Sequence, residues 1–229
     1  MKLGFWLANA CTAMNLVCGL VSLELAVEGN YTLAVLAVLG SMIFDALDGK
    51  VARMFSAAGS DFGKELDSLC DVVSFGVAPA FLIYRMLLHQ MGFVGMLVGI
   101  TFAVCGALRL ARFNTNVSMP GKGFTGMPIT GAGGILAATA LHWQLLTAWG
   151  MAAFTLLLAF LMVSRIRYPD LKAVPFLKKP AGILFSILAI AVFCYFALEW
   201  LFLPLMLYTF SGFLYTYTEN RKATTQARI

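Results

Sequence analysis

Charge is scarce in this chain. Of its 229 residues only 12% are Asp, Glu, Lys or Arg, while 61% are hydrophobic, and the mean hydropathy is +0.86. A soluble domain carries roughly 25% charged and about 45–50% apolar residues. A fully water-exposed fold is therefore excluded, and lipid is the expected solvent for much of the chain. Histidine is scarcer still: the two residues, His89 and His142, fall near the outer face, away from the acidic residues, and receive no catalytic role. The cysteines, Cys11, Cys18, Cys70, Cys105 and Cys194, form no Cys-x-x-Cys pair and are odd in number. They imply no disulfide framework and are expected to be small buried hydrophobes.

What the chain does have is long apolar runs. A helix needs about 20 apolar residues to cross the hydrocarbon core. Leu3 to Leu23, Gln90 to Leu108, Pro180 to Leu198 and Trp200 to Thr218 carry no charge, and Gly123 to Ser164 has length for two spans with a turn near Trp143 to Gly150. Two further spans, about Tyr31 to Arg53 and Lys64 to Leu88, are interrupted by acids. These runs predict an all-α integral membrane protein of about eight transmembrane helices, read as a single catalytic domain over 1–229. The first run is too long for a signal peptide and lacks a clear cleavage site. With a cytoplasmic N-terminus, every Lys and Arg except Arg85 falls on the cytoplasmic side, as the positive-inside rule requires. Both termini are then cytoplasmic. The net charge of +5 reads as topology and attraction to anionic lipids, with no nucleic-acid partner.

Acids are few, yet four of them cluster. Asp45 and Asp48 are three residues apart on the second predicted helix, and Asp67 and Asp71 four apart on the third; each pair shares one helix face. The small residues and Gly59 between the two helices mark a turn, so the hairpin can bring both pairs together at the cytoplasmic boundary. Facing carboxylates near a membrane repel and resist desolvation, and a multivalent cation resolves both problems. Oxygen-only ligation points to Mg²⁺ or Mn²⁺ and away from zinc, and four carboxylates suffice for two ions. Gly49 and Gly63 allow close approach of a ligand to the backbone, Ala52 is small, and Arg53 can pair with a phosphate. Helix packing is the competing reading for either glycine, and topology for Arg53, but neither accounts for four facing aspartates. A cation transporter also places acids in membrane helices; it would not need these glycines, the alanine and the arginine at these spacings.

The stretch Asp45-x-x-Asp48-Gly49-x-x-Ala52-Arg53, nine residues, Gly63-x-x-x-Asp67-x-x-x-Asp71 resembles the signature of the CDP-alcohol phosphotransferases, and every fixed position matches. The resemblance implies a six-helix catalytic core, about 1–165, usually homodimeric, with a two-metal site. Helices at about 180–218 would be a variable addition, followed by a tail over 219–229. All four aspartates would be metal ligands and Asp71 also the general base, with Gly49, Ala52, Arg53 and Gly63 around the CDP group.

Further stretches narrow the resemblance. Asp67 to Ala80, Arg109-Leu-Ala-Arg112-Phe-Asn114, Phe124-Thr-Gly-Met-Pro128 and Met162 to Pro169 are similar to CDP-diacylglycerol–serine phosphatidyltransferases, and archaetidylserine synthases share them. The implied reaction is transfer of a phosphatidyl-type group from a CDP-lipid, with acyl-ester or isoprenoid-ether tails, to L-serine with release of CMP. No Ser, Cys or His is placed as an evident covalent nucleophile, which favours direct displacement over the alternative of a phosphoryl-enzyme. Inositol phosphate, glycerol phosphate and choline are the alternative acceptors. Arg109 and Arg112 share a helix face and suit the serine carboxylate or the lipid phosphates, or else snorkel to the interface. Asn114 either donates to the acceptor or caps the helix end. Asn15, deep in the first span, either contacts the nucleotide or bridges helices. Glu65 is out of phase with Asp67 and Asp71 and is expected to be solvated. Lys122 and the basic residues from Arg165 to Lys179 read mainly as topology signals.

Overall fold

The computed structural model describes residues 2–54, 61–115 and 124–168. The chain falls into two compact units, one made of Met1–Val117 and Pro128–Val163, the other of Ser118–Met127 and Ser164–Ile229.

The regular elements described in the first unit are all helices. Helix α1 (Lys2–Val27) and helix α2 (Tyr31–Met54) are joined by the short turn Glu28-Gly29-Asn30. Gly29 sits there at φ +82°, a left-handed conformation that glycine adopts without a Cβ penalty. The third helical stretch runs unbroken from Asp61 to Met86. It comprises α3 (Asp61–Asp71), a π-helical turn (Val72–Val77) and α4 (Ala78–Met86). The wider turn lies just ahead of Pro79, whose ring nitrogen cannot donate to the Phe75 carbonyl as an α-helix would require. Arg85, the one basic residue expected outside the cytoplasmic set, ties this stretch to the first turn. Its Nη2 donates to the Val27 carbonyl (3.1 Å), and the Tyr31 hydroxyl donates to the Arg85 carbonyl (3.4 Å).

After a 3₁₀ turn (Leu88–Met91), α5 spans Phe93–Thr115, α6 Ile129–Ala140 and α7 Ala148–Val163. Helix α6 is buried along almost its whole length, as an apolar core helix should be. It packs directly on the π turn: a Cβ on Gly133 would collide with the Phe75 backbone. Helices α1, α2 and α5 instead expose large apolar side chains, among them Leu20, Leu33, Ile43, Ile100 and Leu108. In water such a surface would be anomalous; against lipid it is the expected one.

Among the described residues, four helices are long and apolar enough to cross a membrane: Gly4–Val27, Tyr31–Met54, Asp61–Met86 and Phe93–Thr115. The turn expected near Trp143 is present as a short 3₁₀ segment, Trp143–Leu145. The helices on either side of it, with 12 and 16 residues, are shorter than the full spans expected there. The helices expected over about 180–218 lie outside the described residues. The cysteine expectation needs correction. Cys70 is buried, but Cys11, Cys18 and Cys105 are only half-buried, because their helices also face outward; Cys194 lies outside the described residues.

In the second unit, β1 (Phe124–Thr125) pairs antiparallel with β2 (Arg167–Tyr168). The Gly126 N–H donates to the Ile166 carbonyl at 2.8 Å. This short ladder is a departure from the all-helical expectation. Its pairing is between residues more than 40 apart, which local periodicity does not reveal.

Candidate active site

Helices α2 and α3 bring three of the four aspartates together. One carboxylate oxygen from each of Asp45, Asp67 and Asp71 lies within 4.8 Å of the others. Asp71 is buried, and Asp45 and Asp67 are half-buried. The i, i+4 spacing of Asp67 and Asp71 places both on one face of α3, and that face meets the end of α2 carrying Asp45. Asp48 does not join this group. It is buried, and its Oδ2 accepts a 2.7 Å hydrogen bond from Thr12 Oγ1 on α1.

Two of the three clustered acids also have neutral donors. Asn15 Nδ2 donates to Asp71 Oδ1 at 3.0 Å, and Thr130 Oγ1 of α6 donates to Asp45 Oδ2 at 3.3 Å. The orientation of the Asn15 amide follows from chemistry, since only its NH₂ end can face a carboxylate. Asn15 therefore bridges helices, and the group it reaches is a site aspartate. Three clustered carboxylates, two of them accepting from neutral donors, fit a hard divalent cation, because the donor set is all oxygen and like charges so close in a low-dielectric site call for a counter-charge.

Around this cluster, Gly49 and Ala52 on α2 and Gly63 on α3 are half-buried, and Arg53 is exposed. A Cβ added to Gly49 would stand 3.6 Å from Arg53 Nη1, so the guanidinium of the i+4 residue reaches back over the glycine. Glu65 is exposed, as its helical phase predicts.

The α5 residues behave differently from one another. Arg109 is buried, with its guanidinium carbon 5.2 Å from the Phe113 ring centroid, a cation–π distance. Burial argues against a snorkelling side chain. Arg112 is half-buried and its Nη1 donates to the Val163 carbonyl at 2.9 Å. Asn114 is exposed and its Nδ2 donates to Ser68 Oγ at 2.9 Å. That bond links the end of α5 to the residue beside Asp67, where a helix cap was the alternative to an acceptor contact.

Thr12 and Thr130 were not singled out by sequence, nor were Ser41 and Ser74, whose hydroxyls both donate to the Asn15 carbonyl (3.1 and 3.0 Å). A signal for Thr12 existed: it precedes Asn15 by three residues, so two polar groups share one face of an otherwise apolar helix. Ser41, four residues before Asp45, and Ser74, three after Asp71, carried the same signal, whereas Thr130 on α6 has no such partner.

Comparison with known proteins gives a consistent picture. The family model described as CDP-alcohol phosphatidyltransferase matches residues 5–211. The chain is 40% identical over 162 residues to the CDP-diacylglycerol–serine O-phosphatidyltransferase of Bacillus subtilis (strain 168), covering 70% of this chain and 88% of that protein. It is 41% identical over 174 residues to the enzyme of the same name from Helicobacter pylori (strain J99), covering 72% and 73%. It is also 38% identical over 167 residues to the archaetidylserine synthase of Methanothermobacter thermautotrophicus, covering 71% and 69%.

Proposed function

The chain belongs to the CDP-alcohol phosphatidyltransferase family, and from that premise we propose that it transfers the phosphatidyl-type group of a CDP-linked lipid to the hydroxyl of L-serine, releasing CMP. The observation that carries this reading is the convergence of Asp45, Asp67 and Asp71 within the Asp45–Asp71 signature of a chain whose relatives bear serine-transferring names.

Asp45, Asp48, Asp67 and Asp71 are the proposed ligands of Mg²⁺ or Mn²⁺, two ions in the full site. Bound there, such ions supply positive charge that stabilises the phosphoryl oxygens and the departing CMP. The remaining work falls to the protein. Gly49, Ala52 and Gly63 leave room for the CDP group, Asn15 lies beside it, and Arg53 pairs with its phosphates. Asp71 accepts the proton of the serine hydroxyl. The serine oxygen then forms its bond to the lipid-bearing phosphorus as the bond from that phosphorus to the CMP oxygen breaks. Arg109, Arg112 and Asn114 receive the serine carboxylate or the lipid phosphate.

The same reading takes residues 1–229 as one transmembrane domain of eight helices, with a six-helix core and two added C-terminal helices, homodimeric, with termini and active site on the cytoplasmic side. Both acyl and isoprenoid lipid tails fit the named relatives. The decisive experiment incubates purified protein with CDP-diacylglycerol or CDP-archaeol and a panel of alcohols, then identifies the lipid product by mass spectrometry. A serine-containing lipid with stoichiometric CMP is the expected result. A product from inositol phosphate, glycerol phosphate or choline alone would reassign the acceptor.

A further inference from the structure

Asn15 is held more tightly than a bridging amide requires. Its backbone carbonyl accepts two side-chain hydroxyls, Ser74 Oγ from the π turn at 3.0 Å and Ser41 Oγ from α2 at 3.1 Å, the nearer of two acceptors for the one Ser41 proton, since the Ala37 carbonyl is at 3.3 Å. Asn15, Ser41 and Ser74 are each fully buried. Ser74 reaches this carbonyl because Gly19, one helical turn further along α1, has no side chain. A Cβ at Gly19 would stand 2.8 Å from the Ser74 Cα and 3.0 Å from its Cβ. Three helical segments therefore meet at a single peptide group, and the side chain of that residue donates to Asp71 Oδ1 at 3.0 Å.

We propose that Ser41 and Ser74 are positioning residues for Asp71, acting through Asn15. The serine hydroxyls fix the Asn15 peptide against α2 and the π turn. The fixed backbone in turn fixes the amide, and the amide holds one oxygen of Asp71 so that its carboxylate keeps one orientation. Ser74 lies three residues beyond Asp71 on the same helical stretch, so the clasp closes on the segment that carries the acid it orients. A hydroxyl lost from this cluster leaves a buried carbonyl with one donor fewer and lets the Asn15 amide turn. Small misplacements of a reacting group cost up to roughly 10²-fold in rate. The inference rests on Asp71 being the proton acceptor.

The test uses the full chain in detergent or proteoliposomes and measures kcat and both KM values. Ser41→Ala, Ser74→Ala and the double variant are made in the wild-type and Asn15→Ala backgrounds; Asn15→Ala keeps the carbonyl but removes the amide. The double variant is expected to lose roughly ten- to a hundred-fold in kcat with little change in either KM. In the Asn15→Ala background the same hydroxyl deletions are expected to cost nothing further, since coupled groups are non-additive. Equal losses in both backgrounds, or a normal kcat, overturn the proposal. Where the double variant does not fold, the single variants carry the same cycle. Where the Asn15→Ala rate is too low to subdivide, Ser41→Thr and Ser41→Val decide, because they differ in the donor alone: Thr must keep kcat and Val must lose it, and equal kcat values overturn the idea. Asp71→Asn separates the two claims. Near-normal turnover there removes the premise, whereas an inactive Asp71→Asn alongside unaffected serine variants removes only the clasp.

Discussion

Thr12 Oγ1 lies 2.7 Å from Asp48 Oδ2 and 3.1 Å from the Ala8 carbonyl. The hydroxyl has one proton, and the shorter contact to a charged acceptor takes it. Helix α1 thus serves one aspartate of each pair, Asp48 through Thr12 and Asp71 through Asn15. Thr12→Val keeps the shape and removes the donor. Outer partners of metal ligands commonly contribute roughly 10–100-fold to metal affinity; if Asp48 is a ligand as proposed, Mn²⁺ titration of Thr12→Val, read by calorimetry, should show weakening in about that range. An unchanged Mn²⁺ affinity would leave Thr12 a packing residue.

Removal of divalent cations is expected to abolish activity, and Mg²⁺ or Mn²⁺ to restore it. The motive is the 4.8 Å convergence of Asp45, Asp67 and Asp71. Full turnover in excess chelator would remove the metal from the reaction.

Two substitutions are expected to separate chemistry from binding. Asp71→Asn keeps the side-chain volume and loses both the proton acceptor and a ligand charge; turnover should vanish while CDP-lipid binding survives in part. Arg53→Lys loses the planar fork that pairs with phosphate, and should raise the CDP-lipid KM or lower kcat without abolishing turnover. Binding is checked by calorimetry with the CDP-lipid and rates by CMP release.

A contact to a charged group contributes roughly 1.5–3 kcal/mol, and about 1.4 kcal/mol is a factor of ten. If Arg109 or Arg112 binds the serine carboxylate, its replacement by Ala should raise the serine KM by roughly ten- to a hundred-fold, with less effect on the CDP-lipid KM. The buried Arg109 should also lower the melting temperature when truncated, since its stem and its contact with Phe113 are lost together. Loss confined to the CDP-lipid KM would assign both arginines to the lipid phosphate instead.

Gly133→Ala tests the packing that supports the site. The added methyl would press on the Phe75 backbone in the π turn, and overpacking of this kind costs typically about 1–3 kcal/mol. A lower melting temperature in detergent is expected, and a wild-type value would mean that α6 and the π turn can move apart freely.

Much of this protein is legible from order along the chain alone. Apolar runs of membrane length are a local property, and they placed α1, α2, the Asp61–Met86 stretch and α5. Spacings of three and four put Asp45 with Asp48 and Asp67 with Asp71, because a helix converts those intervals into one face. What required the tertiary structure was every choice among neighbours. Four aspartates of equivalent appearance divide into three whose oxygens converge and one, Asp48, that Thr12 holds. Arg109 and Arg112, identical in type and three residues apart, divide into one buried against Phe113 and one donating to Val163. Asn15 could be read from sequence as touching a nucleotide or a helix, but not as touching Asp71, 56 residues away. The physical reason is the same in each case: a hydroxyl or amide has several acceptors within its covalent reach, and which one it meets depends on how α1, α2, α5 and α6 pack, which no interval within a single helix specifies.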